Sequence, residues 1–333
     1  MKVAVVSDFR SGYEVALEAC YARGFDALGA RVDRVSLRSR IPRSGGVWGV
    51  ASAGLLAAAY QSGIVKDVLV KSADVVVLVK AAGVFAGSVR TWRAAGMRVV
   101  NVFPDNPFDA MGASGLGMGL LDQLRACDRV FVHDRFAVGQ LRQLGVRSAF
   151  HAFARDPLLH DPSLRGERLF DPPRIAFIGN PDHERIRFLR AVADLGLGLW
   201  GQWGWARLAA NDPLAGCVRG TERMGPDMVR CLGSALLSIN LLRPSQRTAH
   251  NMRTFESPAC AVCTLSEASN GVLELMEDGV EVATFRTPEE LRRTAMALLD
   301  DGARREAIAR AGWARVEHET YQARARHVLE SVA

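Results

Sequence analysis

The sequence predicts an α/β protein built from two tandem Rossmann-like, doubly wound domains. Three observations predict it. The chain has 333 residues, about two domains at roughly 150 residues each. Its 49% apolar and 23% charged residues are ordinary globular usage, which excludes disorder and coiled coil. Short β-branched apolar runs alternate with amphipathic stretches, twice over, as in parallel sheets covered on both faces.

In the first half the strands are expected at 3–6, 32–37, 74–79, 98–103, 129–132 and 147–150. Helices are expected at 13–28, 89–95, 117–126 and 136–144. Residues 151–173 break the rhythm with Pro157, Pro162, Pro172, Pro173 and many charges, and read as an interdomain linker. A second series follows, with strands at 174–178, 196–200, 216–219, 235–241, 261–265 and 280–285. Helices are expected at 184–195, 288–300 and 302–314, and an Arg- and His-rich helix at 316–332 closes the chain. The expected organisation is therefore 1–165, 170–315, and a final helix at 316–333 crossing back onto the first domain.

No apolar run reaches the roughly 18 residues of a membrane span. The longest, 47–60, carries two Gly, and the four apolar residues of MKVAVVSDFR are too few for a signal-peptide core. A cytoplasmic protein is expected, with the basic face of the last helix a candidate for peripheral contact with an anionic membrane. The net charge is +6, and 38 of the 42 basic residues are Arg, whose planar forks suit phosphate and carboxylate. They are interspersed with acids, so no nucleic-acid partner is expected. Six Cys without a signal peptide argue for reduced thiols, and the isolated pair Cys260 and Cys263 reads as two small buried residues.

Ligands of open α/β sheets bind beyond the carboxyl ends of the strands. In the first domain this rule selects Asp8, Lys80, Asp105 with Asn106, and His133 with Asp134. Asp8 and Asp134 equally suit a cap on the following helix. In the second domain the first strand ends in Gly179-Asn180-Pro181, before a helix carrying Arg185 and Arg187. Gly179 would let a ligand approach the backbone closely. Neither first turn carries GxGxxG, the phosphate loop GxxxxGK[ST] is absent, and GASGLGMG at 112–119 reads as a loop and helix start.

The most informative stretch is 238–274. A buried strand runs into Arg243, then a polar loop, then Asn251-Met252-Arg253-Thr254-Phe255-Glu256. Arg253 and Glu256, three apart, share a face if this segment is helical, and Pro258 fits best in a first turn. Guanidinium groups and a helix amino end would hold phosphates while Glu256 accepts from ribose hydroxyls. A surface ion pair explains the same spacing equally well.

The segment NMRTFESPACAVCTLSE…NGVLELMEDGVEVATFRTPEEL resembles the carboxy-terminal domain of GT-B glycosyltransferases of the group-1 superfamily, closest to the CgeB-like branch of spore-maturation proteins. The MRxFE box is Met252 to Glu256, followed by a small-residue stretch, a Glu-rich segment at 271–281 and an EEL helix at 289–291. FIGN at 177–180 with Arg185, and INLLRP at 239–244, resemble the family's donor-domain strands. The likeness is good across 174–327; in the first half PDNP at 104–107 is compatible. It implies that Glu256 is the second Glu of an E-x7-E motif and binds the donor ribose. It also implies that Arg253 and Arg243 meet the diphosphate, and that Asn251 and Met252 lie near the donor sugar, with Thr254 and Phe255 in the same box. Thr248 stands where the first Glu of that motif is usual, and Ala261 where glycine is usual.

The expected function is transfer of a sugar, hexosyltransferase-type, from a nucleotide-diphosphate sugar to a hydroxyl acceptor, metal-independent, retaining and without a cofactor. Asp105, Asp8 and His133 are candidates to position or deprotonate the acceptor, with Asp105 first, and Lys80, Asn106 and Asp134 on the acceptor side. The rivals are a non-catalytic nucleotide-sugar binder, a GT-B-like sugar-nucleotide epimerase and, least supported, a dehydrogenase.

Overall fold

A computed structural model describes residues 1–9, 14–37, 50–113, 117–166, 169, 171–202 and 204–333. The Ser11-Gly12 turn, the expected helix start at Tyr13, the beginning of the apolar run at 47–49 and the centre of GASGLGMG lie outside these residues. The chain divides into two compact units, Met1–Ala152 with Tyr321–Ala333, and Phe153–Thr320.

The first unit runs β1 (Lys2–Ser7), α1 (Leu17–Asp26), β2 (Arg31–Ser36), α2 (Val50–Lys71), β3 (Val75–Val79), α3 (Ala86–Ala94) and β4 (Arg98–Phe103). It continues with α4 (Pro107–Ala113), α5 (Gly117–Ala126), β5 (Arg129–Val132), α6 (Arg135–Gln143) and β6 (Ser148–Phe150). The strands pair in parallel in the order β2-β1-β3-β4-β5-β6. β3, the run VVVLV, is buried at every position, as a central strand covered on both faces must be. Strand order reverses between β1 and β3, which makes their carboxyl ends the crevice of this sheet.

The second unit runs β7 (Ile175–Ile178), α7 (His183–Arg190), β8 (Leu197–Trp200), β9 (Val218–Gly220), α8 (Pro226–Ser234), β10 (Leu237–Asn240) and α9 (Arg253–Ala259). Then follow β11 (Cys263–Glu267), α10 (Asn270–Leu273), β12 (Ala283–Phe285), α11 (Pro288–Asp300) and α12 (Gly302–Val316). Its parallel order is β12-β11-β10-β7-β8-β9, and the reversal lies between β7 and β10. Local chemistry starts the helices. Asp182, Ser269, Thr287 and Asp301 each accept a hydrogen bond from a first-turn N–H, and Pro288 follows the Thr287 cap.

Three features depart from the sequence reading. Residues from Phe153 onward are not a linker but part of the second unit, with Arg155, Asp156 and His160 buried. The closing helix starts later than expected: α12 runs on to Val316, and α13 spans only Tyr321–Glu330 after an intervening turn. Arg155 explains both departures. Its Nε donates to Val316 O at 3.2 Å and its Nη2 to Glu317 O at 2.8 Å, while its backbone N–H donates to Glu319 O at 2.9 Å. A buried guanidinium thus takes the last carbonyls of α12, and the chain turns. Pro258 sits in the last turn of α9 rather than the first, where its missing N–H forgoes one i→i−4 bond close to the helix end.

α13 packs on α1 within the first unit. A Cβ on Gly24 would stand 2.5 Å from Tyr321 O, so only glycine lets the two backbones meet. Arg324 Nε donates to Ala152 O at 2.8 Å, and the Nδ1 atoms of His151 and His327 lie 3.1 Å apart. Among the described residues no helix is long and apolar enough to cross a membrane.

Candidate active site

In the second unit the reversal point is held by Arg185 on the first turn of α7. Its Nη1 donates to Asn180 O at 3.0 Å and its Nη2 to Leu241 O at 2.9 Å, joining the loop after β7 to the chain leaving β10. Gly179, between them, has its N–H on Trp200 O and its carbonyl on Trp205 Nε1, both at 2.9 Å. A Cβ there would stand 3.0 Å from the Phe177 ring. Asn180 accepts from the N–H of Gln202 at 2.9 Å, so its amide closes the loop.

Two further guanidinium groups act on Arg185 here. The pKa of Arg185 is lowered by burial first, and further by repulsion from Arg243 and Arg253, against the pull of Asp182. Repulsion on the buried Arg185 is relieved by an anion, and the carboxyl end of a parallel sheet is where one would sit. Arg253 donates from Nη1 to Glu256 Oε2, and the Glu256 side chain is 3% exposed against 23% for Arg253. The pair is therefore no surface salt bridge. A buried carboxylate persists only when its oxygens find donors.

Asn251 and Thr254 orient α9 rather than facing outward. Asn251 Nδ2 donates to Asn240 Oδ1 at 2.8 Å, its Oδ1 accepts from the N–H of Thr254 at 3.2 Å, and Asn240 Nδ2 reaches Ser266 Oγ at 3.1 Å. This buried polar chain fixes the start of α9 against β10 and β11. Phe255 is fully buried with its ring edge-on to His250, so it supports the helix from the core side. Met252 is half-buried at the amino end of α9, and Arg243 is exposed.

His160 also belongs to this site. It lies in the segment read as a linker, where no local pattern marks it. Its Nδ1 accepts from the N–H of Asp156 at 3.2 Å, and its Nε2 faces Glu256 Oε1 at 3.8 Å.

The crevice of the first unit holds a cavity of about 480 Å³, lined among others by Ser7, Asp8, Glu18, Tyr60, Lys80 and Gly83. Lys80 and Ala81, directly after β3, have φ of 60° and 41°, a left-handed conformation that costs non-glycine residues energy. Two glutamines hold this strained turn. Gln123 Nε2 on α5 donates to Ala81 O at 2.8 Å, and Gln61 on α2 donates to Gly83 O at 2.8 Å while accepting from the Phe85 N–H at 3.0 Å. Lys80 Nζ lies 2.5 Å from Asp105 Oδ2. Lys80 thus lines the cavity with Asp8 and pairs with Asp105, which is itself not among the lining residues. Asn106 accepts from the Phe108 N–H at 3.0 Å and starts α4. Asp134 accepts from the Phe136 N–H at 2.8 Å as the cap of α6. His133 is buried among ring groups, its centroid 6.3 Å from that of His151, and is not among the cavity's lining residues.

All six cysteines are buried and no disulfide joins them, Cys260 and Cys263 included. Among the described residues no group of three or more His, Cys, Asp or Glu is placed to hold a metal ion.

Residues 184–330 match the family model described as "Glycosyl transferase-like". No curated protein sequence matches the chain. Solved structures match over its whole length. A sucrose-phosphate synthase from Thermosynechococcus elongatus is 13% identical, with 99% of this chain and 97% of that chain covered and a TM-score of 0.69. Anabaena HepE in complex with UDP and glucose is 13% identical, with 100% and 99% covered and a TM-score of 0.67. An α,α-trehalose-phosphate synthase (UDP-forming) from Burkholderia xenovorans, in complex with glucose-6-phosphate, is 12% identical, with 99% of each chain covered and a TM-score of 0.68. The fold is that of the GT-B glycosyltransferases, two six-stranded parallel Rossmann-like units in tandem.

Proposed function

We propose that this protein is a glycosyltransferase that moves a sugar from a nucleoside-diphosphate sugar to a hydroxyl acceptor. The observation that carries the reading is the group formed by Arg185, Arg243, Arg253 and Glu256 at the reversal point of the second sheet, inside the segment that matches the glycosyl transferase-like family. Repelling guanidinium groups suit a diphosphate, and a carboxylate beside them suits the two hydroxyls of a ribose. Similar structures hold UDP, glucose and glucose-6-phosphate as ligands, which supports a nucleotide sugar as donor here. Resemblance to the CgeB-like branch supports the same reading and retention at the anomeric carbon.

In the proposed reaction the bond between the anomeric carbon and the β-phosphate oxygen breaks, and the acceptor oxygen bonds to that carbon. Arg243 and Arg253 neutralise the departing diphosphate, a task that electrostatic stabilisation fulfils without a divalent metal. The acceptor occupies the cavity of the first unit. Its hydroxyl proton passes to Asp105, which Lys80 holds in place, with Asp8 on the cavity wall. A hexosyl donor agrees with the glucose and glucose-6-phosphate held by those similar structures.

The test is a thermal-shift titration with UDP, GDP, ADP, dTDP and CMP, on the wild type and on Glu256→Ala. Stabilisation by one nucleoside diphosphate, about 2.7 kcal/mol at a hundredfold excess over Kd, is expected in the wild type and is lost in the variant. No shift with any nucleotide overturns the donor site. Release of free diphosphate that does not depend on an added acceptor would favour an epimerase.

A further inference from the structure

A buried carboxylate presented to a ligand must have its orientation set by something other than solvent. In Glu256 one oxygen is held by Arg253. The group facing the other is His160, 4% exposed, with Nε2 at 3.8 Å from Oε1. That separation is too long for a hydrogen bond, but short enough that a small shift on ligand binding closes it.

The direction of the His160 ring is fixed by its own loop. The N–H of Asp156 donates to Nδ1 at 3.2 Å, the His160 N–H donates to Asp156 O at 2.8 Å, and Arg155 Nη1 donates to His160 O at 3.2 Å. With Nδ1 accepting, the proton of the neutral ring sits on Nε2 and points at Glu256. The pKa of His160 is lowered, by burial above all. Glu256 and Asp156 pull against that, and Arg253 and Arg155 add to it. The neutral form is therefore the working one, a donor that adds no charge beside the guanidinium group of Arg253.

We infer that His160 is a positioning residue of the donor site: its Nε2–H takes Glu256 Oε1 so that the free lone pairs of the carboxylate meet the ribose hydroxyls. This rests on the donor reading proposed above. It assigns a binding role to a residue outside the segment 184–330 that matches the family, in the stretch where the chain enters the second unit.

The experiment compares two ligands on four proteins. The ligands are whichever nucleoside diphosphate binds in the titration above and its 2′,3′-dideoxy counterpart. The proteins are the wild type, Glu256→Gln, His160→Asn and His160→Gln, each checked for a native circular-dichroism spectrum. Asn keeps an acceptor for the Asp156 N–H but loses the donor toward Glu256, whereas Gln carries an amide N–H to about where Nε2 stands.

Hydrogen bonds to a charged group are worth enough that the wild type is expected to prefer the ribose form by about tenfold or more. The preference collapses in Glu256→Gln and in His160→Asn, and is largely restored in His160→Gln, while affinity for the dideoxy ligand stays nearly constant. A His160→Asn protein that keeps the wild-type preference while Glu256→Gln loses it overturns the role of His160 and leaves the donor reading standing. An unchanged preference in Glu256→Gln overturns the ribose assignment itself, and the inference with it. Equal losses for both ligands in His160→Asn would mean that the ring only holds the loop together.

Discussion

Arg185 Nη2 donates to the carbonyl oxygen of Leu241 at 2.9 Å, and this one bond ties α7 to the strand on the other side of the sheet's reversal point. The same guanidinium donates to Asn180 O, so a single buried cation sets the width of the gap in which the diphosphate is proposed to lie.

Arg185→Ala removes two charge-assisted donors and is expected to cost about 1–3 kcal/mol of stability. It is also expected to weaken nucleoside-diphosphate binding by at least about tenfold. Arg185→Lys keeps the charge but has no fork to span both carbonyls, so it falls between the two. Urea denaturation gives the first quantity and calorimetric titration the second. A wild-type Kd in Arg185→Ala would remove this residue from the donor site.

The Lys80–Asp105 pair separates function from stability. Its side chains are 57% and 43% exposed, so the ion pair contributes under about 1 kcal/mol to folding. Asp105→Asn is expected to leave Tm nearly unchanged while slowing transfer by about a hundredfold or more, the usual effect of losing a general base. Lys80→Ala is expected to slow it less. If Asp105→Asn turned over at the wild-type rate, the proton would have to leave by another route, with Asp8 the next residue to replace.

Acid is expected to destabilise the first unit through His151. Burial holds its pKa well below the usual value of 6.5, and the neighbouring His133, Arg324 and His327 push the same way. Burial also lowers His327, chiefly, with Arg324 adding to it. Below about pH 6.5 the unfolded chain therefore binds a proton that the native state refuses. Stability is fully present above that pH and falls as the pH drops, by up to about 1.4 kcal/mol per pH unit for one fully buried His. Denaturant midpoints at pH 7.5, 6.5 and 5.5 measure the slope. A His151→Asn variant is expected to show a shallower one, and an equal slope would assign the effect to other groups.

Much of the fold was legible because parallel sheets leave a strong local trace. Runs such as VVVLV at 75–79 and IAFI at 175–178 are buried along their whole length, and no other element of this size needs that pattern. α2 and α4 carry no local mark of a helix. The apolar residues of 50–71 lie around much of the helix rather than in one stripe, so no 3.6-residue period stands out. Pro107 opens α4 where a proline reads at first as a breaker.

The candidate site was legible in part for a related reason. Residues directly after a strand, such as Asp8, Lys80, Asp105 and Gly179, are placed by a rule that needs only the strand ends. Residues that reach the site from another element leave no such mark. Gln61, Gln123 and His160 act through side chains 22, 42 and 96 positions away from the groups they meet, Gly83, Ala81 and Glu256. Thr254, Phe255 and Asp134 show the converse, since each lies beside site residues in sequence while its side chain supports a helix.

By itself the sequence determined that this chain forms two parallel α/β units and that the box from Asn251 to Glu256 follows a buried strand, because hydrophobic periodicity and strand-end chemistry are local properties. Only the tertiary structure decided which charges meet. Burial of Glu256 beside Arg253 and His160, the action of Arg243 and Arg253 on Arg185 and the strained turn at Lys80 depend on backbone segments far apart in the chain. Electrostatic interaction depends on distance and desolvation in three dimensions, and neither is written in the spacing of residues along one strand or helix.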